Sequence, residues 1–320
     1  LIQRCLPVCS LCRNHDSALC ELTPRTASGW TTARTVVQSL CQRQGTSKLA
    51  TKSETNWQSC DSPGAAEAAF RTTTVTNSHL MPGHIEARRD LAAIFRWSSQ
   101  LGLSEGICNH YSYAVDDRHF LVNPIGVHWQ EMQAGHLLLV DAQGNVVEGQ
   151  GEIEPTALFI HWRIHHRVPH ARCVLHTHMP HATAIASLDK GRLEMICQNS
   201  LRFYNDIAYD DDYRGLALDD EEGDRIAERL GSSRILFLAN HGVIVIGGSI
   251  SRAFDDLYYL ERACEVQILA HATGLPRKTV DHKTAQITHD QFADDQPFAD
   301  AHLAAIRRIL DKKSPEYADC

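Results

Sequence analysis

From residue 85 to 101, apolar side chains at Ile85, Leu91, Ala92, Ile94, Phe95 and Leu101 recur at helical spacing, and Gly102 follows where a helix would stop. Short runs with strand character come next, at residues 111–115, 120–122 and 137–140, the last joined through Asp141-Ala-Gln-Gly144-Asn145 to Val146-Val147 as a hairpin. Pro155 fits the first position of a helix whose Leu158, His161, Trp162 and His165 share a face down to Arg167. A strand carrying His176 and His178 follows, then a short helix at 182–187 and a capped helix at 220–230 ending at Gly231. Strands flank His241. The most regular helical pattern covers 251–272, with Phe254, Leu257, Leu260, Cys264 and Ile268 on one side, and a last amphipathic helix covers 298–310. Helices and short strands interleave without a strict βαβ rhythm, which predicts a largely antiparallel sheet sandwiched by helices.

One strand carries chemistry. In Cys173-Val-Leu-His176-Thr-His178, residues two apart project to one face, so both imidazoles can reach one ion. His241 stands where the run Ile235-Leu-Phe-Leu ends, before a glycine that allows close backbone approach, and is the candidate third ligand. Three imidazoles with an open position suit a catalytic divalent ion rather than a closed structural one, zinc first, with manganese or iron as alternatives. Against this stands the abundance of histidine, 19 in 320 residues, which produces some His-x-His pairs by chance.

Composition narrows the partners. A formal charge of −8 with no dense Lys/Arg run argues against nucleic acid or an anionic membrane and for a small-molecule ligand. No apolar stretch approaches the roughly 18–20 residues that span a bilayer, and the N-terminus lacks the order of a secretory signal, so a cytoplasmic location is expected. Of 11 cysteines, six (Cys5, Cys9, Cys12, Cys20, Cys41 and Cys60) fall in the first 60 residues, where Cys9-x2-Cys12 could be half of a zinc knuckle. Residues 1–80 hold 21 Ser or Thr, show little sustained periodicity and contain no Met, the first being Met81. A disordered or non-native extension is expected for 1–80, read from upstream of the true start, with 81–320 as the functional domain.

Gly102-Leu-Ser-Glu-Gly-Ile-Cys-Asn109-His110-Tyr-Ser-Tyr, Asn123-Pro-Ile-Gly126, His176-Thr-His178, Asn240-His241-Gly242 and the helix from Ala253 to Ala270 follow in the order of the class II aldolase/adducin family, which the chain resembles over roughly residues 85–272. The resemblance implies a three-layer α/β/α fold around a largely antiparallel sheet and a homotetramer, with a divalent metal held by His176, His178 and His241 near a subunit interface. Members that cleave sugar phosphates carry a Ser-Ser-Glu ahead of the metal strand, whose Glu serves the metal and the proton transfer. Here Ala157 stands in that place, within Pro155-Thr156-Ala157. The family's phosphate-cradling Gly-Asn and Thr-Pro-x-Gly become Asn109-His110 and Asn123-Pro124-Ile125-Gly126, which removes hydroxyl donors and backbone access that a dianion would use. The chain thus resembles a metal-dependent, aldolase-like branch without the usual catalytic Glu.

The expected function is that of a metal-dependent lyase. It would cleave a C–C bond in a small hydroxy or oxo acid, by retro-aldol cleavage or decarboxylation, through an enolate whose charge the ion stabilises. Substrate contacts are expected at Asn109, Asn123 and Gly126, and proton transfer at His110 and Tyr209, with Glu105, His181, Tyr204 and Tyr213 as further candidates. Bland readings compete. The tyrosines can anchor loops, His110 can bind backbone in a turn, Glu105 can be a solvated charge, and His181 can cap the next helix. His161 and His165 have chelating i, i+4 spacing, but packing against the sheet is the expectation. Two other functions stay open: a non-haem Fe(II) oxygenase of aromatic oxo acids, and a non-catalytic adducin-like interaction module.

Overall fold

The computed structural model describes residues 82–320, so the expectations for residues 1–80, the Cys9/Cys12 half-knuckle included, lie outside the described residues. One eight-stranded sheet organises the remainder. In chain order its strands are β1 (His110–Ala114), β2 (His119–Val122), β3 (Leu138–Asp141), β4 (Val146–Glu148), β5 (Cys173–Thr177), β6 (Ile207–Asp210), β7 (Ile235–Leu238) and β8 (Gly242–Gly247). Across the sheet they run β4-β3-β2-β1-β5-β8-β7-β6, and β6–β7 is the one parallel pair. The helices are α1 (Pro82–Gln100), α2 (Pro155–Arg167), α3 (Pro180–Ala186), α4 (Gln198–Leu201), α5 (Asp220–Leu230), α6 (Ile250–Ala272), α7 (His282–Phe292) and α8 (Gln296–Lys313).

Strand alternation divides the core into the two interfaces of a three-layer α/β/α sandwich. Cys173, Leu175, Val243 and Val245 point to one side, where Leu91 and Phe95 of α1, Leu257 and Leu260 of α6, and Leu303 and Ile306 of α8 cover them. Val174, Ile244 and Ile246 point to the other side, against Ile160 and Ile164 of α2 and Ile226 and Leu230 of α5. The α2–α5 contact is close enough that a Cβ on Gly223 would lie 2.4 Å from the Phe159 carbonyl oxygen, so only glycine fits there.

Local signals placed most elements. Pro155 does occupy the start of α2, and the Asp219 side chain accepts from the Glu222 N–H to cap α5. Three elements were not foreseen: α4, β6 and α7. The short strand β6 lies at the sheet edge and is held by parallel pairing with β7, a distant partner that no local period reveals. Short α4 is tied to α6 by charge, with buried Arg202 reaching Asp255 at 2.5 Å and Asp256 at 3.3 Å. Among the described residues no helix is long and apolar enough to cross a membrane.

The α2 face of the sheet also buries a polar seam. His161 and His165 turn inward and share the Ser112 hydroxyl on β1, at 2.6 Å from His161 Nδ1 and 2.7 Å from His165 Nε2. His165 Nδ1–H donates to the Ala171 carbonyl at 2.7 Å, so its Nε2 is the acceptor of the Ser112 O–H, and His161 Nδ1–H must donate to Ser112. His165 thus spends both ring nitrogens on hydrogen bonds, and His161 spends Nδ1 on Ser112 while its Nε2 is buried without a partner. Burial depresses both: His161 falls well below its ordinary value, and His165 falls to about 4.

A depressed histidine contributes stability that is complete above pH 6.5 and is lost as pH falls toward the folded-state value. In metal-free protein, denaturant unfolding is expected to show stability declining as pH falls from 6.5 to about 4, with a shallower decline in His165→Gln. A flat profile across that window would contradict this account of the seam.

Candidate metal centre

His176 lies on β5, on the same face as Val174, and is the cross-strand partner of His110 on β1. His178 follows one residue past the end of β5. His241 sits in the three-residue turn between Leu238 and Gly242, which are paired across β7 and β8. Asn240 takes the left-handed conformation in that turn, φ 56°, which an Asn tolerates better than most residues. The turn packs on the end of β5 without clearance. A Cβ on Gly242 would lie 2.5 Å from the Thr177 carbonyl oxygen and 2.9 Å from His178 Cδ2. Glycine is thus what lets the third imidazole meet the other two.

The three candidate ligand atoms lie within 4.8 Å of one another. Ring centroids are 5.1 Å apart for His176–His178, 4.8 Å for His176–His241 and 4.7 Å for His178–His241. Hydrogen bonds set two of the tautomers. His176 Nδ1–H donates to the Val243 carbonyl at 3.0 Å, and His178 Nδ1–H donates to the Glu105 carboxylate at 2.5 Å, which leaves Nε2 with its lone pair in each ring. His178 Nε2 is buried and has no hydrogen-bond partner, as an atom reserved for a ligand would be. Burial lowers the affinity of His176 and His241 for protons, and the neighbouring imidazoles lower it further, His241 to about 4. His176 and His241 are thereby kept neutral at neutral pH, and the set of three imidazole nitrogens fits a divalent ion with nitrogen ligands.

His110 stands beside this cluster, with its ring stacked toward His176 at 5.8 Å between centroids. Its Nε2–H reaches the Glu154 carboxylate at 3.1 Å, and its Nδ1 is buried without a partner. Sequence reasoning missed Glu154. Burial would raise this carboxyl, but hydrogen bonds from His110 and Thr156 and from the Ala157 N–H outweigh it and hold the group at about 2. An acidic residue directly before a proline at a helix start was the available signal: Glu154 is the N-cap of α2, and the cap lies next to β1. Ala157 itself is buried in the core under α2.

The remaining expected residues separate. Asn109 is buried at φ 82°, its Oδ1 accepting from the Glu105 N–H at 3.1 Å and its Nδ2 unpartnered. Asn123 uses its amide on the backbone, accepting from Tyr111 N–H and donating to the Asn109 carbonyl, so it braces the turn that carries Asn109. Gly126 lies in an exposed turn beyond β2 at φ 86°. Tyr209 needs correcting as a proton donor. It lies in β6, not in a loop, and strand alternation points it with Phe237 to the opposite face of the sheet from His176. Its hydroxyl already accepts from the Leu193 N–H at 3.0 Å, and burial raises the phenol to about 12. Tyr213, not Tyr209, approaches the cluster, 6.3 Å from His241 between ring centroids. His181 turns away to α6, its N–H and Nδ1 both bonded to Glu261.

Comparisons with known proteins agree with this geometry. Residues 89–268 match the family model described as the class II aldolase and adducin N-terminal domain. A Caulobacter vibrioides protein, provisionally described as an aldolase class 2 protein, is 32% identical over 73% of this chain and 92% of its own length. The decarboxylase NovR of Streptomyces niveus is 27% identical over 71% of this chain and 86% of its own. The crystal structure of an aldolase II superfamily protein from Pseudomonas syringae superposes with a TM-score of 0.71 at 31% identity, over 75% of this chain and 98% of that one.

Replacing Gly242 by alanine tests the packing of the turn. Gly242→Ala is expected to cost about 1–3 kcal/mol of stability by overpacking and to weaken divalent-ion binding by displacing His178 or His241, read by denaturant unfolding and by ion titration. Unchanged binding would show that the close approach does not position the ligands.

Proposed function

The chain belongs to the class II aldolase and adducin family, and on that premise we propose that it is a metal-dependent lyase that cleaves a C–C bond in a small hydroxy or oxo acid. What carries the proposal is the cluster of three imidazoles whose candidate ligand atoms lie within 4.8 Å of one another, two of them oriented through Nδ1 so that Nε2 is left for a ligand. His176, His178 and His241 would hold the ion, zinc in the first instance, with manganese or iron as alternatives. Bound there, a divalent cation acts as a Lewis acid toward negative charge developing on a substrate oxygen.

The chain's own residues supply the rest. His110 moves the proton, because the bond from Nε2–H to Glu154 leaves Nδ1 with a free lone pair on a ring stacked toward His176. Glu154 holds that tautomer and stabilises the imidazolium that forms, acting through His110 where the family's Glu, at the position of Ala157, serves the metal and the proton itself. Asn109 offers its unpartnered Nδ2–H to a substrate oxygen. Decarboxylation is favoured over sugar-phosphate cleavage by the altered 109–110 and 123–126 loops and by the likeness to NovR. The proposal includes a homotetramer with the site at a subunit interface, supported by Tyr213 beside His241 and by Leu216 and Leu218 a few residues on in the same segment, with 52%, 68% and 56% exposure. It also includes a cytoplasmic setting, with residues 81–320 carrying the activity.

The test is a panel of hydroxy and oxo acids offered to metal-stripped and reconstituted protein, with release of carbon dioxide or of an aldehyde measured. Turnover is expected to require about one equivalent of zinc or manganese and to vanish in the His176→Ala/His178→Ala variant. His110→Ala is expected to lose roughly 10²–10⁴-fold in kcat with its ion content unchanged, and Glu154→Gln less. Oxygen uptake with Fe(II) in place of C–C cleavage would move the chain to the oxygenase reading. Failure to bind any ion would move it to the interaction-module reading.

A further inference from the structure

The loop between α1 and β1 has one unexplained carboxylate. Glu105 sits in it with an exposed side chain, yet its Oε2 accepts the His178 Nδ1 proton at 2.5 Å. The loop is built to hold it there. Glu105 and Cys108 form an isolated antiparallel bridge, Gly106 at φ 57° turns the chain between them, and the Glu105 N–H donates to buried Asn109. The same Asn109 Oδ1 lies 3.5 Å from the backbone nitrogen of His178. Side chain and main chain of His178 are thus both approached by one short segment, 73 residues away in sequence.

The three imidazoles are not braced alike. His176 is oriented by the Val243 carbonyl, a backbone group fixed by the pairing of β5 with β8. His178 lies beyond the end of β5 and has no such backbone partner for its ring. Among the described residues, Glu105 is the side chain that hydrogen-bonds to an imidazole of the cluster. A carboxylate accepting from the remote N–H of a ligating histidine fixes the tautomer, restrains the ring and raises the basicity of the ligating nitrogen.

We propose that Glu105 is a positioning residue for the metal centre, orienting His178 through Nδ1 without itself contacting the ion, so that the α1–β1 loop sets how tightly the ion is held. The inference rests on the metal reading above. It follows that a change at an exposed loop residue alters ion affinity while fold and first-sphere ligands stay the same.

Zinc affinity and the rate of zinc loss to a chromophoric chelator would be measured on native protein, Glu105→Ala and Glu105→Gln, and the absorption of cobalt(II)-loaded samples would be recorded. Glu105→Ala is expected to bind zinc roughly 10–100-fold more weakly and to lose it correspondingly faster. Glu105→Gln keeps an acceptor without the charge and is expected to lie between Ala and native. The cobalt band shape should be shared by all three, and thermal unfolding of the metal-free forms should coincide. Native protein that binds zinc, with Glu105→Ala within twofold of it, would overturn this inference alone. So would a Gln variant no better than Ala, or a cobalt spectrum that changes coordination number in Ala. A native chain that takes up no zinc would overturn the metal reading and this inference with it.

Discussion

The contact of the β7–β8 turn with the end of β5 is the constraint on which the rest depends. His176 within β5 and His178 just past its end make two of the three ligands; the third must come from a neighbouring turn that can lie directly on the Thr177 carbonyl. Gly242 permits this, because any side chain there would intrude on Thr177 and His178. Asn240 adds the left-handed residue that lets a three-residue loop close and project His241 back over β5. The sheet's antiparallel pairing of β5 with β8 then supplies the Val243 carbonyl that orients His176. Fold and site are the same set of hydrogen bonds at this corner.

Charge is distributed around the corner in layers. Burial and the neighbouring imidazoles depress His176 and His241, which keeps those two rings neutral and available. Carboxylates stand one residue further out, Glu105 on His178 and Glu154 on His110. Neither belongs to the cluster of candidate ligand atoms, and each addresses the site through a histidine. Beneath them, Ser112, His161 and His165 fill the α2 interface with committed hydrogen bonds, so the polar character of the site continues into the core without leaving the Ser112 hydroxyl unpaired.

Much of this was legible in the chain because it is encoded locally. The His-x-His pair, the glycine after His241, Pro155 at a helix start and the apolar stripe of α6 are short-range patterns with direct physical meaning, and each reappears in the structure where it was expected. What was not legible depends on distant pairing. Ile207–Asp210 became a strand through its parallel neighbour β7, and that pairing turned Tyr209 to the wrong face for the site it was expected to serve. Glu154 is not legible from the family's pattern, which puts the carboxylate at Ala157, because its contact with His110 spans 44 residues and depends on the N-cap of α2 lying next to β1. Glu105 looked like a solvated loop charge, and by exposure it is one; only the approach of His178 gives it a partner.

The central claim is that His176, His178 and His241 form one first coordination sphere. X-ray absorption spectroscopy on zinc-loaded native protein tests it most directly. The expected spectrum has three imidazole nitrogens at about 2.0–2.1 Å, completed by at least one oxygen from solvent. A spectrum of sulfur donors, or of a hydrated ion with one imidazole or none, would contradict it.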